Sequence, residues 1–442
     1  MTAAHGSTIV LLIVMICYFT NLLPVAVTAM GSCVVLAVLK LAPVSTVWSG
    51  LSSDTTLVVG GMIVVGTAII ETGAARTVGS FFVRKTKGNF WLAAFSLVVL
   101  ALVLSGFMNN SATVATMLPV MLGVVVASNG KLNEKHWLMP LAVATNTGGM
   151  LTMLGTTSQM IIQNSLAGLN MPPFGFFEFA WIGVPVCIAF IFYFLLFGSK
   201  LNRWIWPRPA EHTAMVQRLL DKGNNNDAEK KTGDPRAAPS ASLLKQGLSV
   251  LIMLAAITWM VSPSSIPNGT VAAAAAVMVL VTKCISLKEL YKKFDWTTVF
   301  VLAGGIGFAN GMDKSGGGRL IADWIAGLFG TNIMPMQVFV MFVLTGALLT
   351  LFMSNTAVAA MLTPIAIAFT DIVDFNVYPV LMGICMATNC AFSTPIATPS
   401  MTLVLGPGEY KFNDYIKWCL PFNLFTIVLI LLIVPLVWPL NG

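Results

Sequence analysis

The sequence predicts an all-α polytopic membrane protein built from two inverted-topology repeats, each with a re-entrant helical hairpin and a broken transmembrane helix. Three observations predict it. The 442 residues are 57% hydrophobic and only 9% charged, whereas soluble domains carry about 25% charged residues. Apolar runs long enough for a hydrocarbon core of about 30 Å recur along the whole chain. Polar signatures in the first half return in the same order in the second.

The apolar runs fall at 8–27, 28–44, 56–73, 89–128, 138–170, 176–199, 244–262, 268–285, 296–313, 333–370, 377–408 and 414–438. The stretch from Thr8 to Met30 has no basic residue before it and contains Pro24, so it reads as a first span rather than a cleavable leader. Four runs, 89–128, 138–170, 333–370 and 377–408, are too long for one span, and each contains a polar break.

Charge placement orients them. The net charge of +7 comes from basic clusters at Arg76/Arg84/Lys85/Lys87, Lys131/Lys135, Lys200 to Lys245, Lys283/Lys288/Lys292/Lys293 and Lys411/Lys417. The positive-inside rule places these on the cytoplasmic side. They speak for membrane orientation, not for binding nucleic acid. The opposite ends, "SPSSIPNG" (262–269) and "TDIVDFN" (370–376), are neutral or acidic. Lys314 and Arg319 are exceptions, partly offset by Asp313 and Asp323. The run 89–128 is flanked by basic clusters on both sides. It therefore enters and leaves from the cytoplasm, as two spans or as a hairpin with "MNNSA" at its tip. By the same logic 333–370 enters and leaves from outside, with "MSNTA" at its tip. Both termini are then expected outside.

The polar, Pro/Gly/Ser/Lys-rich segment 201–243 reads as a flexible cytoplasmic linker. It separates a first repeat, 8–200, from a second, 244–438. "TTLVVGG" (55–61) is echoed by "TTVFVLAGG" (297–305), and "MNNSATVATMLP" (108–119) by "MSNTAVAAMLTP" (353–364), ungapped at an offset of 245. "ATN" (144–146) returns at 387–389, and "GTTS" (155–158) returns as "ATPS" (397–400). One half meets its tip from inside and the other from outside, so the repeat is inverted. Inverted repeats with interrupted helices are the sequence sign of a secondary transporter whose site lies near the midplane.

The chemistry of the breaks is that of neutral groups. Non-helical backbone at membrane depth survives only where it is buried in protein or lines a polar cavity. Freed N–H groups at a helix start attract anions, and freed carbonyls at a helix end attract cations. Residues 88–130, 137–177, 324–370 and 375–408 contain no Asp, Glu, Lys, Arg or His. That disfavours a proton relay and leaves an enzyme no acid/base pair, nucleophile or metal set. Charge on a bound anion would have to be balanced by co-bound cations such as Na⁺ or by strict exchange. Ser105 lies four residues before Asn109, and its repeat mate Thr350 lies four before Ser354. On a continuous helix such pairs share a face and offer hard oxygen ligands. The alternative is that each hydroxyl bonds back to a preceding carbonyl.

Other signals carry less. The seven Cys show no CxxC and no spacing with the three His that suggests a metal, so they read as core- or lipid-facing thiols. "AGGIG" (303–307) has no βαβ surroundings and reads as close helix packing by small residues. Glu71, near a span end, reads as an interfacial or interdomain charge.

The motifs resemble those of the divalent anion/sodium symporter family, the INDY-type di- and tricarboxylate transporters within the ion transporter superfamily. That family carries Ser-Asn-Thr at each hairpin tip and a Gly/Ala-Ser/Thr-Pro-type loop in each broken helix. Here the second half has Ser354-Asn355-Thr356 and Ala397-Thr398-Pro399, and the first has Asn109-Asn110-Ser111 and Gly155-Thr156-Thr157. "NLLPVAVTA" (21–29) is similar to the family's early Pro-containing helix, and the likeness runs from Thr8 to Trp438. The resemblance begins after the family's first helix, which would also put the N terminus outside. The resemblance implies a dimerising scaffold domain and a transport domain that moves as an elevator. It implies one Na⁺ site at Ser105, Asn109, Asn110 and the Gly155 carbonyl. It implies another at Thr350, the Met353 carbonyl, Asn355 and the Ala397 carbonyl. Substrate carboxylates would meet Asn110, Ser111, Thr156 and Thr157 on one side, and Asn355, Thr356, Thr398 and Pro399 on the other. Asn109, Ser111 and Thr157 depart from the family's Ser, Thr and Pro.

The expected activity is secondary transport of small divalent anions, C4-dicarboxylates such as succinate, malate or fumarate, coupled to Na⁺ in the cell membrane. No cofactor is expected, and the expected assembly is a homodimer. The alternatives are a dicarboxylate, 2-oxoglutarate or tricarboxylate exchanger without Na⁺ coupling, and a carrier of sulfate or another inorganic anion. A channel would also tolerate polar tips.

Overall fold

The computed structural model describes residues 2–20, 22–74, 77, 85–86, 89–128, 131–169, 171–206, 242–262, 266–317, 320, 334–370, 375–395 and 397–441. Most of the expected linker, and Arg76, Arg84, Lys87, Arg319 and Asp323, lie outside the described residues. Every regular element among the described residues is helical.

The first half runs α1 (Ala3–Thr20), α2 (Val25–Val38), α3 (Val44–Val47), a 3₁₀ turn (Ser49–Ser52), α4 (Asp54–Thr72), α5 (Phe90–Ser105), α6 (Asn110–Ala127), α7 (Lys135–Gly148), α8 (Thr157–Gly168) and α9 (Ala180–Tyr193). A π turn, Phe194–Gly198, carries α9 directly into α10 (Ser199–Ile205). The second half runs α11 (Leu243–Val261), α12 (Asn268–Val281), α13 (Leu287–Lys293), α14 (Trp296–Ser315), α15 (Pro335–Leu349), α16 (Asn355–Phe369), α17 (Val377–Thr388), α18 (Pro399–Leu405) and α19 (Phe412–Val437).

The four overlong runs break where their polar residues fall. The first splits between Ser105 and Asn110, the second between Gly148 and Thr157, the third between Leu349 and Asn355, the fourth between Thr388 and Pro399. Asn109 caps α6 by accepting from Ser111 N at 2.9 Å, and Ser354 caps α16 by accepting from Ala357 N at 3.3 Å. Short polar side chains at these positions start helices by satisfying an otherwise orphaned N–H. The breaks leave α15 and α16 with 15 residues each, about 22 Å of helix, short of a hydrocarbon core of about 30 Å. Among the described residues, four helices are long and apolar enough to cross a membrane: Asn110–Ala127, Ala180–Ile205, Leu243–Met260 and Phe412–Val437.

The two halves pack as structural mates. Helix α5 lies against α7 as α15 lies against α17. Helix α14 lies against α2 as α4 lies against α12, so the halves embrace each other. A side chain at Gly61 would strike the Ala272 backbone at 2.5 Å, and one at Gly304 would strike the Ala29 backbone at 2.6 Å. These are the echoed glycines of 55–61 and 297–305, and they bear out close helix packing as the reason for "AGGIG". Lys40 and Lys283, at the ends of α2 and α12, both adopt φ 53°. Each is followed by the same backbone turn, Leu41 N to Leu36 O at 2.9 Å and Cys284 N to Val279 O at 3.0 Å. Helices α7 and α17 form the centre, with every residue of Trp137–Gly148 buried and all of α17 buried except Tyr378.

The seven cysteines are free, and all but Cys17 are buried. Glu71 pairs with Lys293, tying α4 to the end of α13.

Candidate functional site

The two hairpin tips and the two broken-helix loops converge on one cavity of about 580 Å³. Its wall holds Asn109, Asn110 and Ser111 from the first tip and Ser354, Asn355 and Thr356 from the second. Gly155, Thr156 and Thr157 join from one loop, and Ala397, Thr398 and Pro399 from the other. Asn109 and Pro399, 290 positions apart in sequence, thus share one wall. Helix α4 closes one side with Val59, Met62, Ile63, Gly66, Thr67 and Ile70. Lys293 and Asp295 are the charged residues in the lining, followed by Thr297 and Thr298. The volume lies in the range of small-molecule sites.

Ser105, Thr350 and Met353 are not in the lining; they lie one layer behind the tips, 0%, 0% and 2% exposed. Ser105 does not share a helical face with Asn109 as the spacing suggested. Helix α5 ends at Ser105 and α6 starts after Asn109, so the chain bends between them. The bend brings Ser105 to the next residue instead: its Oγ donates to Asn110 Oδ1 at 2.6 Å. Thr350 does the same, donating to Asn355 Oδ1 at 2.9 Å, with Thr388 O also 2.8 Å from its hydroxyl. Neither shows the back-bond that was the alternative. Both hydroxyls stand at helix C-termini, where freed carbonyls favour a cation.

The tip amides are held from the other side as well. Asn110 Nδ2 donates to Asn146 Oδ1 at 3.1 Å, and Asn355 Nδ2 lies 3.4 Å from Asn389 Oδ1. These contacts orient each amide with its oxygen toward the hydroxyl and its nitrogen toward the buried helix behind. Asn146 is 1% exposed and also meets the second loop, donating to Thr398 Oγ1 at 3.1 Å and accepting from Ser400 Oγ at 2.6 Å. The loops are pinned by matched bonds: Thr152 Oγ1 donates to Gly106 O, and Thr394 Oγ1 to Leu351 O at 2.7 Å. A side chain at Gly149 would lie 2.5 Å from Asn110 Oδ1, so any larger residue there would displace the tip amide.

The loops differ in one respect. Thr156 is gripped by its own helix, its N and Oγ1 both donating to Gln159 Oε1 at 2.7 and 2.8 Å, while Gln159 Nε2 donates to Gly149 O at 3.0 Å. The repeat mate of Gln159 is Met401, which offers no such grip. Asn109 is exposed, and its side-chain oxygen is engaged by the Ser111 N–H.

Sequence reasoning did not assign Asn146, Asn389, Ser158, Gln159, Ser400, Lys293 or the α4 wall. The first two were legible as the echoed "ATN", and the serines as the last letters of "GTTS" and "ATPS". Lys293 had no local signal.

A larger cavity, about 1130 Å³, lies by Phe174, Phe177, Trp181 and Met260 and contains none of the tip residues. Its acids are already engaged, Asp54 by Gly269 N at 2.8 Å and Glu178 by Trp438 Nε1 at 3.0 Å. Among the described residues no group of three His, Cys, Asp or Glu could hold a metal ion.

Paired broken helices around a neutral polar cavity define an all-α membrane transporter fold. The chain belongs to the citrate transporter family, whose model matches residues 9–369 and 252–440. The family and the relatives are transporters, not enzymes. The chain is 32% identical over 203 residues to the uncharacterized transporter YfbS of Escherichia coli, covering 46% of this chain and 33% of that one. It is 24% identical to the sodium-dependent dicarboxylate transporter SdcS of Staphylococcus saprophyticus, covering 75% of this chain and 66% of that one. It thus spans a third to two thirds of the length of these relatives. The solved structure of Neisseria gonorrhoeae MtrF, from a class of antimetabolite efflux pumps, superposes with a TM-score of 0.56 at 14% identity, covering 89% of this chain and 84% of that one.

Proposed function

We propose that the protein is a secondary transporter of small dicarboxylates, succinate, malate or fumarate, coupled to Na⁺. The observation that supports it most is the doubled hydroxyl–amide pair. Ser105 with Asn110 and Thr350 with Asn355 each bring two neutral oxygens within 2.6 and 2.9 Å of each other at a helix C-terminus. Such a pair suits a small hard cation once its hydroxyl proton turns away. The starts of α6, α8 and α16 face the same cavity and present N–H groups suited to carboxylates. SdcS carries the words sodium-dependent dicarboxylate in its own name.

The remaining roles follow from this reading. Asn110, Ser111, Thr156 and Thr157 meet one carboxylate, and Asn355, Thr356, Thr398 and Pro399 the other. The Gly155, Met353 and Ala397 carbonyls complete the cation shells. Residues 8–200 and 244–438 act as inverted repeats joined by a cytoplasmic linker at 201–243, with both termini outside. On this reading the charged end of the lining, at Lys293 and Asp295, faces the cytoplasm. The hairpins and broken helices move as the transport body of an elevator against a dimeric scaffold.

The test is uptake of labelled succinate into proteoliposomes under an inward Na⁺ gradient, with citrate and sulfate as competitors. Uptake that collapses when choline replaces Na⁺ is the expected result. No succinate uptake under either condition would remove the proposal. One observation favours exchange as a second reading: Asn109 turns its oxygen to a backbone N–H rather than to the cation pair. Uptake that requires internal dicarboxylate and ignores Na⁺ would establish it.

A further inference from the structure

Three buried side-chain atoms among the described residues have no hydrogen-bond partner: Ser158 Oγ, Asn389 Nδ2 and Asn423 Oδ1. Leaving such a group unpaired in the interior is costly. The first two fall at matched positions of the repeat, and their mates are fully bonded. Asn146 accepts from Asn110 Nδ2 at 3.1 Å and from Ser400 Oγ at 2.6 Å, and donates to Thr398 Oγ1 at 3.1 Å. It therefore ties the first tip to the loop of the second repeat. The repeat mates of Asn146, Thr398 and Ser400 are Asn389, Thr156 and Ser158. By symmetry Asn389 should tie the second tip to the loop of the first repeat.

Only the first leg of that tie exists. Asn355 Nδ2 reaches Asn389 Oδ1 at 3.4 Å, longer than its counterpart. The Asn389 Nδ2 and Ser158 Oγ that would complete it are the two unpartnered atoms, 1% and 0% exposed by residue. The elements that carry them are in place, since α8 packs on α17 as α18 packs on α7. Gln159 supplies the asymmetry: it holds Thr156 by two bonds, whereas Met401 leaves Thr398 available to Asn146.

We propose that Asn389, Thr156 and Ser158 form a second inter-repeat bridge, open in this structure and closed when the cavity is loaded, with Asn146 and Asn389 as positioning residues for the tip amides. The inference rests on the transport reading above. A cation on Asn355 Oδ1 polarises the amide and strengthens the Nδ2–H donated to Asn389, because linked hydrogen bonds reinforce one another. Asn389 is thereby fixed with its own Nδ2 toward α8. Closing joins the second tip to the first loop, so cation binding at one tip organises substrate groups in the other repeat.

Two double-mutant cycles on purified full-length protein test the bridge by thermal unfolding. One uses Asn146→Ala with Ser400→Ala, the other Asn389→Ala with Ser158→Ala. Each is measured in choline and again in Na⁺ with succinate. The first cycle should show coupling in both conditions. The second should show none in choline and gain it when loaded. Gln159→Met should bring the second coupling into the choline condition, because Thr156 is released. In transport, Asn389→Ala should raise the Na⁺ concentration for half-maximal uptake about tenfold, with a smaller effect on maximal rate. Ser158→Ala removes a hydroxyl that bonds nothing here, so its fold should persist and its Na⁺ requirement should rise too.

Equal coupling of the two cycles in choline overturns the bridge, as does a second cycle that stays uncoupled in protein that responds to Na⁺ and succinate. A wild type whose unfolding and uptake ignore Na⁺, succinate, citrate and sulfate counts instead against the transport reading. The choline comparison and Gln159→Met still decide the bridge in that case.

Discussion

At the scale of single residues, the candidate site offers neutral groups at its tips, so orientation rather than charge decides what they can bind. An amide has a carbonyl end and an amino end, and the wrong end toward a cation repels it. Asn110 and Asn355 are each held at both ends, by a hydroxyl in front and an asparagine behind. Asn355→Ala should therefore abolish succinate uptake while purified yield and oligomeric state stay as in wild type; wild-type uptake in that variant would remove Asn355 from the site. Ser105→Ala and Thr350→Ala each delete one oxygen without touching the substrate groups. Each should raise the Na⁺ concentration for half-maximal uptake by roughly tenfold, the equivalent of about 1.4 kcal/mol, and change the succinate requirement less. Lys293 is half exposed in its pair with Glu71. At the cavity wall it suits recruitment of anions rather than their binding.

At the scale of elements, helix breaks and helix crossings carry the architecture. Polar breaks interrupt four long apolar runs, with side-chain caps at Asn109 and Ser354, and the shortened helices meet around the cavity. The crossings of α4 on α12 and of α14 on α2 require glycine, because a Cβ at Gly61 or Gly304 would overlap the facing backbone. Gly304→Leu should lower thermal stability in detergent, by about 1–3 kcal/mol or more if the backbone cannot separate. Lys40 and Lys283 end their helices in the left-handed region, which side chains with a Cβ adopt at a cost of roughly 1–2 kcal/mol. Lys283→Gly should therefore raise the melting temperature, since glycine takes that conformation freely. An unchanged or lower value would mean that the lysine side chain itself holds the helix end.

At the scale of the whole molecule, the repeat makes two sites from one design and then lets them differ. Gln159 against Met401 is a small change, yet Gln159 holds Thr156 while Thr398 stays with Asn146. The cavity lining holds no histidine or cysteine, and its charged residues are Lys293 and Asp295. Uptake measured at constant dianion concentration should accordingly be flat across the neutral range, and uptake at constant total succinate should rise with pH only through the substrate's second ionisation. A steep pH dependence at constant dianion would point to a proton-coupled group that the tips do not contain.

Much of this was legible in the sequence. Low charge, apolar runs and polar breaks determined an all-helical membrane protein, because lipid admits only helices and closed barrels and the long continuous apolar runs lack the alternation of barrel strands. The echoed tips determined that the breaks come in matched pairs and which tip and loop residues share the cavity wall, but not that Ser105, Thr350 and Met353 lie behind it or that Lys293 and α4 complete it. Spacing misled where it assumed a continuous helix: Ser105 and Asn109 sit on opposite sides of a bend, so the hydroxyl finds Asn110 instead. Only the tertiary structure decided that Asn146 serves the loop of the other repeat, more than 250 residues away, while Asn389 stops short of its mate. The reason is physical. Local chemistry dictates where a helix starts and ends, but a hydrogen bond between repeats exists only after two buried helices have packed to within about 3 Å of donor and acceptor.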